Sequence, residues 1–222
     1  MTEPAATPVI EPRWPVALAI ATVLVLLTTM PRPLQIWPNW LVILISVTQL
    51  LPMVVVGLSR QDTRMHWLKI ERSVMFSVTA FSAVANMIGL AHVVWVVLVR
   101  SATATGLELL TSSIALWVSN VLTFSLVYWL LDLGGPEIRL AHTRHNADWL
   151  FPRGSANEPG TPEWTPTYVD YLFLAFNTAT AFSPTDVAPM SARAKLLMMA
   201  ETMISLSTLV VVMSRAINIL GS

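Results

Sequence analysis

Along the chain, apolar residues gather into five long stretches separated by short polar or proline-rich ones: Trp14 to Met30, Trp40 to Leu58, Ser73 to Val99, Leu107 to Leu131, and Leu196 to Leu220. A helix needs about 20 residues to cross a hydrocarbon core of roughly 30 Å, so each run predicts a membrane span, the first being short for one. The borders fit the same picture. Trp14, Trp37, Trp40, Trp67 and Trp129 fall near the predicted headgroup level, and PRPLQIWPN separates the first two runs. Pro52 is expected to kink the second.

A sixth apolar stretch is different. YVDYLFLAFNTATAF, from Tyr168, has an apolar core too short to span comfortably and ends at Ser183-Pro184, so it predicts a short re-entrant helix. Between it and the fourth run lies 132–167, a polar linker rich in Gly, Pro, His and charge. The expected organisation is therefore a disordered N-terminus over 1–13, four transmembrane helices over 14–131, and the linker over 132–167. A re-entrant helix, turn and final span fill 168–222. The fold class is all-α, a polytopic membrane protein with about five transmembrane helices and one re-entrant helix.

Composition supports that class: 55% of residues are hydrophobic and 12% charged, more apolar surface than a soluble domain of 222 residues buries. Thirteen basic residues balance thirteen acidic ones, so net charge gives no reason to expect a nucleic-acid partner; the bilayer is the expected one. With no cysteine, thiolate chemistry and disulfides are excluded. The first fifteen residues hold two glutamates, four prolines and one basic residue, which is not the start of a secretory signal.

The distribution of charge predicts an orientation. Placing the N-terminus in the cytoplasm puts Arg13, Arg60, Arg64, Lys69, Arg72, Arg139, Arg144, Arg153, Arg193 and Lys195 on one side, leaving Arg32, Arg100 and Arg215 on the other. The expected location is a plasma (inner) membrane, with the N-terminus and 132–167 cytoplasmic.

Candidate chemistry concentrates in the last third. Glu201, Ser205, Thr208, Val212 and Arg215 fall at offsets of one helical face, a polar stripe suited to a water-lined pathway or an interhelical hydrogen-bond seam. Thr178 and Thr180 in the short helix are further pathway candidates, with Asp170 and Asn177 beside them; Asp186 and Pro189 are expected to hold the turn that follows. His142, His145 and Asp148 recur at intervals of three, a spacing that on a helix is compatible with a zinc or nickel site, although a solvated linker is the ordinary explanation. No cofactor is expected. Asn86, His92 and Asn120 within apolar runs are expected to bond neighbouring helices. The basic cluster around His66 suits anionic headgroups. No nucleophile–base set, phosphate loop or nucleotide fingerprint is found, so an enzyme is not expected.

Two resemblances follow from these residues. Thr178, Thr180, Asp186, Pro189 and Arg193, in the order short helix, turn and long helix, resemble the pore region of the potassium-channel superfamily. In that family the tract before the aspartate is Thr-Val-Gly-Tyr-Gly; here Ala181, Phe182, Ser183, Pro184 and Thr185 stand in its place, so potassium selectivity is not implied. Over a longer stretch, DWLFP (148–152), YVDYLFLAF (168–176) and SPTDV (183–187) are similar to an uncharacterised family of bacterial integral membrane proteins, which implies class and location but no mechanism. The leading expectation is an oligomeric cation conduit, a homo-oligomer that is not potassium-selective. The alternatives are a nonconducting scaffold or partner-binding subunit and, less favoured, a membrane enzyme.

Overall fold

The computed structural model describes residues 12–59, 61–99, 105–134, 147–152, 164–180 and 186–220. Among them are six α-helices: α1 (Trp14–Thr28), α2 (Asn39–Leu58), α3 (Gln61–Val99), α4 (Gly106–Leu131), α5 (Tyr168–Thr180) and α6 (Ala192–Leu220). Two-residue strands, β1 (Trp149–Leu150) and β2 (Ala188–Pro189), pair antiparallel with Trp149 opposite Pro189. The described residues are thus all-α apart from this small clip.

Helix ends follow local chemistry. Pro15 sits in the first turn of α1, where its missing N–H would have no helical partner. Thr105 and Glu108 form a reciprocal capping box at the start of α4, with the Thr105 N–H donating to Glu108 Oε2 at 2.8 Å. The polar stretch before the third apolar run was expected to connect helices; it contains neither Pro nor Gly between 61 and 72, and α3 begins at Gln61 and continues through it for 39 residues. Helix α2 runs through Pro52, which is buried.

Four helical stretches are long and apolar enough to cross a membrane: Asn39–Leu58, Ile70–Val96, Gly106–Leu131 and Ala192–Val211. The predicted first span falls short. Helix α1 has 15 residues, roughly 22 Å at 1.5 Å per residue. By length and composition there are therefore four candidate spans among the described residues where five were expected, because the helix breaks at Thr29 before the proline-rich connector.

Helix α4 is the centre. In its apolar window 72% of residues are buried, against 33% or less in the other three. Helices α1, α3, α5 and α6 pack around it, and α2 closes the outer side against α1 and α3. The outward faces are apolar: Ile43, Leu44 and Val47 on α2, Phe76 and Val84 on α3, and Met199, Met203 and Leu206 on α6 are all exposed. So much exposed apolar surface suits lipid and not water.

Polar pairs join the helices inside this apolar setting. Gln49 Nε2 donates to Thr79 Oγ1 at 3.1 Å, linking α2 to α3, and Asn86 Nδ2 donates to Thr123 Oγ1 at 3.2 Å, linking α3 to α4. His92 instead stacks on Trp95 of its own helix, with ring centroids 5.9 Å apart. Arg13, before α1, forms an ion pair with Glu71 of α3, so the start of α1 and the start of the span in α3 share one end of the bundle.

Candidate functional site

The first three positions of the stripe on the last helix face inward, while the side chains of Val212 and Arg215 lie outside the described residues. Glu201, Ser205 and Thr208 are 0%, 0% and 1% exposed, all on the side of α6 that packs against α4. Helix α4 answers with polar groups of its own. The Tyr128 hydroxyl donates to Glu201 Oε2, Asn120 Nδ2 donates to Ser205 Oγ at 2.9 Å, and Thr208 Oγ1 donates to the Ile204 carbonyl of its own helix at 2.8 Å. These contacts set the two helices antiparallel along a continuous polar seam.

The seam is incompletely satisfied. Glu201 Oε1 and Asn120 Oδ1 are buried without a hydrogen-bond partner. Buried polar atoms are normally paired, and the two unpaired ones on this interface mark places where water or a transferable proton fits. No basic side chain is paired with Glu201 among the described residues.

One end of the seam is capped by a second polar cluster. Asp132, at the end of α4, accepts from the Asp148 N–H at 2.8 Å and from the Tyr171 hydroxyl at 2.6 Å. Asp148 in turn receives Arg193 through Nε at 2.6 Å and through a second guanidinium nitrogen, and its Oδ1 also accepts from Ser191. Its carbonyl accepts from the Met190 N–H at 2.7 Å. This two-point guanidinium grip is the geometry in which arginine holds a carboxylate best. The clamp and the β1–β2 pairing fix Trp149 between them. The Trp149 ring lies 4.8 Å from that of Tyr128, and its Nε1 donates to Met198 Sδ at 3.4 Å. Trp149 therefore covers the Tyr128–Glu201 pair from the clamped end.

The remaining candidates fall around this core. Thr178 is buried and donates to the Leu174 carbonyl at 2.8 Å, while its own carbonyl accepts from Thr202 Oγ1 at 3.3 Å, beside Glu201. Thr180 is half-buried, with its hydroxyl returned to the Phe176 and Asn177 carbonyls. Asp170 closes the first turn of α5, accepting from the Thr167 N–H at 2.8 Å. Asp186 is exposed, and Pro189 lies opposite Trp149 in the clip. His142 and His145 lie outside the described residues, as do 181–185; Asp148, grouped with the two histidines by spacing, is engaged by Arg193 and Ser191. No group of three or more metal-ligating side chains occurs among the described residues.

Sequence reasoning missed Tyr128, Asp132, Trp149 and Ser191. The one available signal was the tyrosine and aspartate four apart at the end of an apolar helix, a polar face aimed at the same end as the start of the last run.

Together these features define a helical protein with four candidate membrane spans and a buried polar seam at its centre. No protein-family model, curated protein or solved structure matches this chain.

Proposed function

We propose that this chain is an integral membrane protein that carries protons along the α4–α6 seam, with Glu201 as the relay group. The observation that carries the reading is the state of the Glu201 carboxyl: wholly buried, one oxygen held by Tyr128, the other without a partner. An ionisable group placed this way within a membrane helix costs roughly 3 kcal/mol on insertion scales and is ordinarily retained for a task. With no basic group paired to it among the described residues, its charge is compensated by a proton or a small cation. A proton needs only the hydroxyls and amide already in place, whereas a bare cation requires several more oxygens.

This narrows the cation conduit expected from sequence. The path runs inside one protomer, because Glu201, Ser205 and Thr208 face α4, leaving an apolar outer face on α6 for lipid or a second copy. Helix α5 supports a re-entrant reading. It starts beside Asp132 through Tyr171, its far end reaches Thr202 within α6, and the chain is back beside Asp148 at β2. We assign the clamped end, which carries Arg13 and Arg193, to the cytoplasm on the distribution of basic residues.

A nonconducting scaffold is the second reading, favoured by the clamp, which orders a surface at that end of the bundle. Proton flux into liposomes containing the purified chain separates the two: flux that depends on Glu201 supports the relay, and none from folded protein leaves the scaffold.

A further inference from the structure

A cleft unrelated to the seam opens between α1, α2 and α3, with its floor on α4. Its enclosed volume is about 70 Å³, and the rest of the cleft is open to its surroundings. Its long wall is α1, lined from Ile20 to Leu27, seven residues apart and so about 10 Å along the helix axis, and Met30 continues the wall past the helix end. The cleft thus runs from the α1–α2 connector towards the middle of the bundle, the direction an alkyl chain takes in a bilayer. Val23, Leu27, Val42, Ile45 and Phe81 make its walls apolar.

The polar groups on the lining are nearly all engaged within the protein. Gln49 donates to Thr79 and Asn86 to Thr123, while the Ser46 and Ser82 hydroxyls donate to carbonyls of their own helices. Gln35 bonds Asn39. The exception is Trp37 at the mouth, whose indole Nε1 is buried with no hydrogen-bond partner. A buried N–H without an acceptor is unfavourable, so an oxygen from outside is favoured there. Arg32, in the same connector, is exposed and positively charged.

We propose that this cleft is a binding site for one membrane glycerophospholipid. An acyl chain lies along α1, a head-group oxygen accepts from Trp37 Nε1, and the phosphate sits near Arg32. The chemistry is that of an amphiphile with a long apolar chain, one acceptor at its polar end and a negative charge beyond it, which an anionic phospholipid meets. The site is independent of proton transfer at Glu201.

The test uses the full chain, purified in detergent, delipidated and titrated with dioleoyl phosphatidylglycerol, with bound lipid counted by native mass spectrometry. The wild type is expected to retain one lipid per chain under activation that strips the rest. Trp37→Phe keeps the aromatic body and removes the donor, and retention should fall about fivefold, the weight of one net hydrogen bond. Ala85→Leu fills the cleft from α3 and should abolish the retained lipid, whereas Leu44→Ala on the exposed face of α2 should leave it unchanged. Equal retention in wild type and Trp37→Phe overturns the proposal, even if Ala85→Leu fails to fold. So does a loss in Leu44→Ala as large as in the cleft variants, which would mark annular lipid only.

Discussion

The Tyr128 hydroxyl donates to the Glu201 carboxyl across 73 positions of sequence, joining the central helix to the last one inside the bundle. Both residues are 0% exposed, so the contact is made away from solvent, where an unmade hydrogen bond is most costly.

Removing that donor should therefore be felt as stability. Tyr128→Phe leaves both Glu201 oxygens without a partner and is expected to destabilise the protein by about 1–3 kcal/mol. Thermal unfolding in detergent should show a lower midpoint. In the background of Glu201→Leu the same substitution should cost much less, since the group it served is gone. Additive losses would show that the Tyr128 hydroxyl contributes independently of Glu201.

The clamp makes a separate prediction. Asp148 has a side chain 2% exposed, while that of Arg193 is 56% exposed, so truncating the arginine strands a buried carboxylate. Arg193→Ala is expected to cost about 1–2 kcal/mol, less than for a fully buried pair because solvent screens the guanidinium. Arg193→Lys should lose part of this, since an ammonium cannot grip two oxygens in the same plane. Hydrogen exchange at 148–150 and 188–190 should speed up in Arg193→Ala, and unchanged protection would show that the β1–β2 clip holds without it.

A local strain is also testable. Leu133 follows α4 with φ at 52°, the left-handed region that L side chains with a Cβ enter only at a cost of about 1–2 kcal/mol. Leu133→Gly should relieve most of this, offset by the loss of a half-buried side chain, for a net gain of up to about 1 kcal/mol. A lower unfolding midpoint would mean that the packing of Leu133 outweighs its backbone strain.

Orientation can be read by labelling, because the chain has no native cysteine. Asn157→Cys in the linker is expected to react with a membrane-impermeant maleimide only from the cytoplasmic side. Reaction from the outside would reverse the assignment of the clamped end.

Much of the architecture was legible in the apolar runs, because a bilayer demands long uninterrupted helices and punctuates them with Trp and Pro. The start of α3 was hidden, since polarity was read as a break although the residues from Gln61 to Arg72 include no Pro or Gly and are mostly good helix formers. The length of α1 was hidden too, because Thr29 and Met30 are apolar enough to extend a run without extending a helix. Within the site, the spacing of Glu201, Ser205 and Thr208 placed them on one face, and helical periodicity suffices for that. Their partners were not legible. Asn120 meets Ser205 across 85 positions, and such pairings arise from helix packing, which leaves no local pattern. Asp148 was grouped with His142 and His145 by a helical spacing, yet the chain at Trp149 is extended, and the carboxylate reaches Arg193 instead.

The central claim is that Glu201 passes protons, and flux tests it most directly. Liposomes enclosing a pH-sensitive dye, loaded with the purified chain and given a potassium-diffusion potential, should acidify faster than empty ones. Glu201→Gln should reduce that rate at least to about a tenth, the effect of removing a group that acts as the relay and not as a neighbour. Its circular dichroism and unfolding midpoint should match a folded protein. Wild-type liposomes no faster than empty ones, or Glu201→Gln as fast as wild type, would contradict the account.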